Sequence, residues 1–358
     1  AHSSIEKAAI VLGLGQAAVN KIVVDEGIYY EHVIVKKSVS LVAENMRNTT
    51  IDGNAAGTVI NITANNVNMT GFTIKNSGPY PNSGIHVSSS GNNITQNNIT
   101  NNYYGILLYY SSNNNLTSNN ASNNDIGICL DHSSGNSLSN NTMVCNKYNF
   151  GLYGATEAHF NNIIDESNRV DGKQVYFLKE AEDTVYTSLT NVGTLYLIDC
   201  DNVTIRNSTL TKNVHGIFLW NTNNSKIENV TSSNNLNGIC IQGQSNYNNL
   251  INNTVLNNER GIYLHSSNNT VIYHNSFINN AIQANVTESC NNTWDNNYPS
   301  GGNYWSDHIY LDYYSGPYQN ETGNDGIVDT QYVIDGDNED SYPLVSPLTP
   351  PVFNINTH

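Results

Sequence analysis

The chain has few charged side chains, and basic ones are the rarest. Of its 358 residues, 14 are Lys or Arg and 30 are Asp or Glu, which gives a formal net charge of −16. Proteins bind nucleic acids and anionic membrane surfaces through clustered basic side chains. The composition therefore excludes both as partners and predicts a polar surface made mostly of Asn, Ser and Thr.

Long apolar runs are also absent. A membrane-spanning helix needs about 20 consecutive apolar residues, and the sequence contains no such run. Its apolar segments are two to four residues long and are separated by Gly, Asn or Ser. A helix in a globular protein needs roughly 8 or more periodic residues. Most of the chain is therefore predicted to be neither membrane-spanning nor helical.

Cysteine is scarce and its spacing is uninformative. The five cysteines are Cys129, Cys145, Cys200, Cys240 and Cys290, an odd number whose spacing matches no metal-binding motif. Cys129 and Cys240 lie too many repeats apart to pair. A bridge between Cys129 and Cys145 stays open, and the sequence does not predict a disulfide framework.

What the chain does contain is a repeat that opens with Gly-Ile-x-Leu. A fixed period of 20 to 24 residues indicates a repeat architecture, and the alternation of Ile and Leu is typical of strands with one buried face. Three short strands per repeat predict an all-β fold, the right-handed, single-stranded parallel β-helix. The clearest copies open at Gly84, Gly105, Gly127, Gly216, Gly238 and Gly261.

Asparagine is the second recurring feature, with 65 of 358 residues. The Asn residues recur in register, as in Asn97/Asn98, Asn119/Asn120 and Asn252/Asn253. Asn tolerates left-handed backbone at sharp turns, and stacked amides form hydrogen-bonded ladders. A disordered Asn-rich tract is the alternative, but the apolar residues recur in register with the Asn residues. We therefore expect both turn formation and side-chain ladders.

Changes in composition predict the boundaries of the regions. Residues 1–20, with Ser3-Ser4-Ile5-Glu6 as a capping box, are expected to form an N-terminal capping helix over the open sheet edge. Residues 21–293 form the β-helix, interrupted by a charged, irregular excursion at 155–200. Residues 294–345 form an aromatic and acidic C-terminal segment, and 346–358 an extended tail.

The C-terminal segment carries carboxylates alternating with Gly and Asn, a pattern that suits a hard cation such as calcium. The spacing is not that of an EF-hand, and an acidic solvated turn is the alternative. The predicted calcium ligands are Asn324, Asp325, Asp329, Asp335, Asp337 and Asp340.

Period-two alternation also predicts which side chains point out of the sheet. Only Asp131, with His132 beside it, and His265 suggest catalysis, and no Lys or Arg lies on this face. The outward apolar side chains form a stripe that either stacks on sugars or is covered, by Trp294–Tyr318 or by a neighbouring subunit. The stripe residues predicted to bind carbohydrate or form an interface are Leu107, Tyr109, Phe218, Trp220 and Tyr263.

The repeats with their Asn-rich turns resemble the NosD-like family of right-handed parallel β-helix proteins. Asn168–Phe177 resembles a segment that interrupts the coils in that family, and three further stretches resemble the C-terminal signature of its archaeal cell-surface members: Gly302–Asp307, Asp325–Tyr332 and Asp340–Leu344. The tyrosines inserted in Ile309–Asn320 depart from it. The resemblance implies no single activity, because the family mixes envelope proteins, glycan-binding modules and accessory factors for copper enzymes.

Three functions follow from this interpretation. The first is a secreted or cell-surface structural protein, a surface-layer, sheath or filament subunit that self-associates and is stabilised by calcium. The alternatives are a glycan-binding module and a polysaccharide lyase, epimerase or hydrolase. A chain that begins at Ala1 fits an exported protein whose leader has been removed, as would a cloned fragment.

Export would also allow N-glycosylation at Asn-x-Ser/Thr sites. The candidate sites are Asn48, Asn61, Asn68, Asn93, Asn115, Asn202, Asn268, Asn285 and Asn320.

Overall fold

The computed structural model describes residues 21–187, 189, 191–289 and 291–347. The predicted capping helix at 1–20, most of the predicted tail and Cys290 lie outside these residues. No helix in the described part of the chain is long and apolar enough to cross a membrane.

The fold is the predicted all-β, right-handed parallel β-helix, and its contacts divide the chain into two compact units, Ala1–Tyr176 and Phe177–His358. In the first unit a single 3-10 helix, Glu157–Phe160, accompanies the strands among the described residues. These strands are β1 Lys21–Val24, β2 Gly27–Tyr30, β3 Val33–Val35, β4 Ser40–Ala43, β5 Thr49–Asp52, β6 Ile60–Ile62, β7 Asn68–Thr70, β8 Thr73–Lys75, β9 Ser83–Val87, β10 Asn93–Thr95, β11 Asn98–Thr100, β12 Tyr104–Tyr109, β13 Asn115–Thr117, β14 Asn120–Ser122, β15 Ile126–Asp131, β16 Ser137–Ser139, β17 Thr142–Val144, β18 Tyr148–Tyr153, β19 Ile163–Ile164, β20 Arg169–Val170 and β21 Lys173–Lys179, which contains the boundary.

The second unit repeats the pattern and ends in short hairpins. Its strands are β22 Val185–Thr187, β23 Val192–Ile198, β24 Thr204–Arg206, β25 Thr209–Thr211, β26 His215–Trp220, β27 Lys226–Glu228, β28 Thr231–Ser233, β29 Asn237–Gln242, β30 Asn249–Ile251, β31 Thr254–Leu256, β32 Arg260–His265, β33 Val271–Tyr273, β34 Ser276–Ile278, β35 Ile282–Thr287, β36 Tyr304–Trp305, β37 Tyr314–Ser315, β38 Glu321–Thr322, β39 Tyr332–Val333 and β40 Glu339–Asp340.

In the first unit every third strand joins the same sheet. The first sheet runs β1-β4-β7-β10-β13-β16-β19, the second from β2 through β5 to β20, and the third from β3 through β6 to β18. Neighbouring strands are parallel and in register, so that Ile106 pairs with Ile128 and Leu108 with Leu130. Each coil therefore places its residues directly above those of the coil before it.

The second unit has the same three-sided plan. Its sheets run β22-β24-β27-β30-β33, β25-β28-β31-β34-β36 and β23-β26-β29-β32-β35. Ile217 pairs with Ile239 in the last of these sheets, and Ile239 in turn pairs with Ile262. The predicted inward residues Ile217 and Leu219 are fully buried, as are Ile128 and Leu130 in the first unit.

The predicted asparagine ladders are present inside the turns. Asn119 Oδ1 accepts hydrogen bonds from the backbone nitrogen and the amide nitrogen of Asn97, both at 3.1 Å. The amide nitrogen of Asn119 then donates to Asn141 Oδ1 at 3.1 Å and to the carbonyl of Ile94 at 2.8 Å. Each rung thus satisfies backbone groups that would otherwise be buried without a partner. Equivalent ladders run Asn92-Asn114-Asn136-Asn162, Asn102-Asn124-Asn146, Asn235-Asn258-Asn280 and Asn253-Asn275-Asn303.

Other Asn residues occupy the predicted left-handed turns. Asn101, Asn123 and Asn257 have φ values of 56°, 56° and 55°. Each precedes a buried rung, so in these three Asn pairs the first residue makes the turn and the second forms the ladder.

The predicted excursion at 155–200 is more regular than its composition suggests. Asn162 and Asn168 still act as ladder rungs for Asn136 and Asn141. The change comes after Asp171-Gly172, where the chain turns back and Gln174 pairs antiparallel with Arg169. The irregular segment therefore begins later than the sequence predicted.

Candidate functional site

The most unusual backbone in the first unit lies where the third sheet ends. Tyr110 and His132 directly follow β12 and β15, with φ values of 45° and 50°. Left-handed backbone is uncommon for bulky residues and strains them. The corresponding turns of the second unit carry smaller or more flexible residues with positive φ: Asp199, Asn221, Gly243, Ser266 and Glu288. Two aromatic rings therefore stand where the fold prefers Asn, Gly or Asp, which points to a function.

The rings at these turns form a continuous surface, here called the tyrosine ridge: Tyr109, Tyr110, Asp131, His132 and His159. Tyr110 stacks on His132 with ring centroids 4.8 Å apart, and its other neighbour, Tyr109, meets it edge-on at 4.7 Å. His132 also contacts the ring of His159 at 4.9 Å. Tyr109 is 41% exposed and Tyr110 is 61% exposed. The ridge thus offers aromatic rings to the solvent across adjacent coils.

Two of the predicted catalytic residues do come together in this ridge. His132 Nδ1 lies 2.6 Å from Asp131 Oδ1, a pairing that orients the imidazole ring. Ser133, the nearest hydroxyl in sequence, is buried and donates to the Asp131 carbonyl oxygen. Within the described part of the ridge Asp131 is the one carboxylate, whereas a glycosidase uses two. The pair is therefore better suited to hydrogen bonding than to hydrolysis.

Burial also affects the imidazole of His159. Desolvation lowers its pKa, the neighbouring His132 ring lowers it further, and Asp131 acts in the opposite direction. The net lowering of the pKa favours the neutral form of the His159 ring.

The third predicted catalytic residue, His265, belongs to the second unit. Its Nδ1 lies 3.0 Å from Thr287 Oγ1, and its Nε2 lies 3.8 Å from a carboxylate oxygen of Glu288. Its ring stacks beside that of Tyr263 at 6.2 Å. These contacts place His265 on the outer face of its sheet, without Asp131 or His132.

The outward apolar stripe is buried, so much of it is closed to a ligand. Leu107 and Cys129 are buried in the first unit, and Phe218 and Cys240 in the second. Phe218 packs against Tyr196 and His215 with centroids 5.7 and 4.9 Å away. Leu107 and Phe218 are therefore closed to a sugar by their burial, and their part in an interface stays a prediction.

Trp220 and Tyr263 are only partly exposed. Trp220 leans over Gly243 of the next coil, where an added Cβ would lie 2.5 Å from the indole. The guanidinium of Arg260 lies 5.6 Å from the Tyr263 ring centroid. Both rings are thus held by their own unit, which leaves Tyr109 as the predicted stacking residue that is open to solvent.

Within the second unit, the C-terminal tryptophans pack on a different sheet from the one that carries Phe218 and Trp220, so the prediction that they fold over that sheet is wrong. Trp305 in β36 stacks on Phe277 at 4.5 Å and on Tyr332 at 4.2 Å, and Trp294 is buried beside it. Pairing of β36 with β34 places these rings at the end of the sheet. The segment therefore closes the end of the coil stack, where the sheet edge would otherwise be open.

Asp340 holds this cap together and is not placed as a calcium ligand. Its Oδ2 accepts hydrogen bonds from Asn303 N at 2.7 Å and Trp305 Nε1 at 2.9 Å, and its Oδ1 accepts one from Tyr342 N at 3.1 Å. The carboxylate is fully buried. Burial raises the pKa of Asp340 to about 7, although these hydrogen bonds act to lower it.

The other predicted calcium ligands lie in loops. Asp329 accepts hydrogen bonds from the backbone nitrogens of Tyr313 and Tyr314, and Asp325 accepts one from Ile327 N. Asp335 accepts a hydrogen bond from Asp337 N at 2.8 Å. In the described part of the chain, no three His, Cys, Asp or Glu side chains are placed to hold a metal ion. Calcium binding by the loop residues, including Asn324 and Asp337, stays a prediction.

The predicted glycosylation sites fall into two groups by side-chain exposure, the exposed and the partly buried. Asn48, Asn202 and Asn320 are exposed at turns, whereas Asn61, Asn268 and Asn285 are partly buried. Three more lie in stacked strands, Asn68, Asn93 and Asn115, where the amide of Asn115 donates to Asn93 Oδ1 at 2.8 Å. Turn sites therefore offer the better acceptors, and occupancy stays a prediction.

Comparison with known families gives one match, and it covers most of the chain. The profile of the family described as "Periplasmic copper-binding protein (NosD)" matches residues 17–174 and 161–309. Comparison with curated protein sequences gives no match.

Three of the solved structures that match are distant in sequence. A pectin methylesterase from carrot is 10% identical, with 84% of this chain and 81% of that chain covered and a TM-score of 0.36. An alginate lyase from Paenibacillus sp. str. FPU-7 is 12% identical, with 86% and 97% covered and a TM-score of 0.33. The catalytic domain of a GH87 alpha-1,3-glucanase in complex with nigerose is 15% identical, with 84% and 67% covered and a TM-score of 0.39.

The described residues do not fit a copper site. Met69 and Met143 are fully buried in the first unit, whereas Met46 is 43% exposed. In the second unit His215 is buried and its Nδ1 lies 3.2 Å from the amide nitrogen of Asn237. Among the described residues, no group of three His, Cys, Asp or Glu side chains could hold a metal ion. These residues thus do not bring together the His and Met donors that copper prefers.

Proposed function

Because this chain belongs to the NosD family of parallel β-helix proteins, we propose that it is an exported glycan-binding protein that presents the tyrosine ridge to a polysaccharide. The observation that carries the proposal is the pair of aromatic residues, Tyr110 and His132, held in left-handed turns, with Tyr110 exposed beside Tyr109 and His132 partly exposed. Adjoining aromatic rings that face solvent on successive coils are typical of a ligand surface, and Tyr247, which has the same backbone conformation, lacks such ring neighbours among the described residues.

The chemistry of the ridge suits a sugar. Exposed tyrosine rings offer flat apolar faces for the C–H faces of a pyranose, while Asp131 and His132 offer hydrogen-bonding groups for its hydroxyls. The net charge of −16 disfavours polyanionic glycans such as polyuronates. The ridge is therefore proposed to bind neutral glycans without cleaving them.

Replacing Tyr110 with Asn tests this proposal in two ways. The variant should bind neutral oligosaccharides about tenfold more weakly, which corresponds to the loss of about 1.4 kcal/mol of ring contact. It should also unfold at a slightly higher temperature, because Asn relieves the left-handed strain. Binding is measured on an array of neutral, acidic and amine-bearing oligosaccharides, and stability by thermal unfolding.

Tyr247 provides the matched control. It is 60% exposed and has a φ of 59°, and the described part of the chain gives it no ring neighbour. Tyr247→Asn should gain stability in the same way and keep the binding of the parent. If Tyr110→Asn binds every sugar on the array as the parent does, the ridge is not a glycan site.

A structural role in the cell envelope is the second candidate, and one observation favours it. The loop Ile309–Tyr318 of the second unit exposes a run of apolar side chains, with Ile309 88% and Tyr318 83% exposed. Tyr310, Leu311 and Tyr313 are each about three-fifths exposed. Contiguous exposed apolar side chains are typical of protein–protein contacts.

If this loop joins subunits, replacing Tyr310 and Leu311 with Ser should disperse the assembly. Sedimentation and electron microscopy of protein shed from its source cells would then change from polymers to single particles. The matched control is Ile28→Ser with Tyr30→Ser, two exposed apolar residues of the first unit. A parent protein that sediments as a monomer at micromolar concentration would contradict the structural role.

A further inference from the structure

A groove of about 480 Å³ lies on the first unit, where the second sheet turns into the third. Asn101, Asn123 and Cys145 form one wall, at equivalent left-handed turns of successive coils. Tyr103 and Asp125 form the other wall, also one coil apart. The floor consists of buried ladder rungs, and Gly78-Pro79 closes one end. The groove is thus rigid, because every wall belongs to the coil repeat.

Three tyrosines cluster at the closed end. Tyr80 meets Tyr103 at 5.2 Å, and Tyr103 meets Tyr104 at 4.9 Å, both nearly perpendicular. Tyr80 is 66% exposed, so its ring extends beyond the wall into solvent. An exposed ring beside a polar groove is the combination that holds a sugar by its apolar face and its hydroxyls together.

The charge in the groove is negative. Asp125 is exposed and close enough to Tyr103 that its carboxylate helps to raise the pKa of that phenol, after the larger effect of burial. Among the described residues no lysine or arginine lines the groove. The ammonium of Lys147, on the next coil, lies 5.0 Å from the ring centroid of Tyr148, and its charge acts on the Tyr103 phenol against that of Asp125. A ligand in the groove therefore meets one carboxylate, two amide side chains and aromatic rings, with one ammonium group on the neighbouring coil.

We propose that this groove binds a glycan that carries free amines, such as an oligomer of glucosamine. Its pyranose ring lies against Tyr80 and Tyr103, its hydroxyls bond to Asn101 and Asn123, and its ammonium pairs with Asp125. An acetylated amine would bring no charge and only one N–H donor for this carboxylate. A uronate would place like charge against it.

The groove and the tyrosine ridge are separate sites on one sheet. Tyr104 and Tyr109 stand at opposite ends of β12, about 17 Å apart at 3.3 Å per residue. The proposal goes beyond the proposed function, and its test uses residues that the ridge does not contain. A negative binding result at one site would leave the proposal for the other site unchanged.

The experiment compares glucosamine tetramer with its N-acetylated counterpart on the full chain. The parent should bind the free amine at least about fivefold more tightly, and Asp125→Asn should reduce this ratio to less than twofold. Cys145 supplies a local readout because its thiol is exposed in the groove wall, whereas Cys129, Cys200 and Cys240 are buried. Bound glucosamine tetramer should slow the alkylation of Cys145, as followed by peptide mapping.

Two variants distinguish binding in the groove from a nonspecific effect of net charge and from binding at the tyrosine ridge. Glu157→Gln removes one exposed negative charge outside the groove and should leave the ratio unchanged. Tyr110→Asn should keep the protection of Cys145 even if it loses binding at the ridge. The proposal is overturned if saturating tetramer leaves Cys145 alkylation unchanged, or if Glu157→Gln lowers the ratio as much as Asp125→Asn does.

Discussion

Replacing Asn119 with Ala should lower the free energy of unfolding by about 3–5 kcal/mol. The side chain sits in the middle of a ladder and is fully buried. Its removal breaks four hydrogen bonds, although the amide nitrogen of Asn97 keeps the carbonyl of Met69 and the amide oxygen of Asn141 keeps the backbone nitrogen at position 119. A buried polar group without a partner costs about 1–3 kcal/mol, and these remaining bonds keep the total below the sum of four such losses.

The neighbouring residue is the matched control for this prediction. Asn120 has the same side chain, but it is exposed, and its amide donates to Asn98 Oδ1 at the surface. Asn120→Ala should cost less than about 0.5 kcal/mol. Chemical denaturation of both variants gives the two free energies of unfolding. Equal losses in the two variants would show that the ladder hydrogen bonds add no stability.

Replacing Gly302 with Ala should destabilise the C-terminal cap by about 3 kcal/mol. A Cβ at this position would lie 1.9 Å from Asp340 Oδ1 and 2.4 Å from its carboxyl carbon. Asp340 cannot retreat easily, because it accepts hydrogen bonds from Asn303, Trp305 and Tyr342. The steric conflict must therefore displace the backbone or break the bonds that hold Trp305 over the last coil.

Gly336 is the control, since a Cβ there would meet nothing within 4 Å. Gly336→Ala should be neutral within about 0.5 kcal/mol. Near-ultraviolet circular dichroism should report the loss of the tryptophan stack in Gly302→Ala before the coils unfold. In an Asp340→Ala background the Gly302 substitution should cost clearly less, and an unchanged cost would contradict the contact as its cause.

Much of the fold could be predicted because the same sequence pattern recurs in many coils, so that several copies support each assignment of a strand or turn. Ile106 and Leu108 alternate in one coil, and the same pattern in Ile217 and Leu219 leaves little doubt about which face is buried. Asn pairs such as Asn119/Asn120 recur in register in the same way, and this recurrence predicted the turns and the ladders. One coil alone would not distinguish a strand from a loop, because its apolar segments are so short.

The candidate sites were harder, for three physical reasons. Pointing outward does not mean being exposed, as Phe218 shows. A carboxylate in a loop looks the same in sequence whether it binds a cation or caps backbone nitrogens, and Asp340 does the latter with partners about 37 residues away. The sequence immediately around Tyr110 also does not reveal that its φ is positive. Aligning the coils would have revealed it, because Asn221 and Gly243 occupy the equivalent turn.

The asparagine ladders also bear on how this protein ages. Asparagine deamidates when the backbone nitrogen of the following residue attacks its side-chain amide, and 65 asparagines would make an open chain short-lived. In the coils that nitrogen is already occupied: Asn120 N donates to the carbonyl of Asn97, and Ser137 N to that of Asn114. The attacking nitrogen is held by its hydrogen bond to a backbone carbonyl, and the target amide is held by the hydrogen bonds of the ladder. Chemical damage should therefore begin at exposed asparagines whose following backbone nitrogen is not held in this way, and the coils should retain their amides for as long as they stay folded.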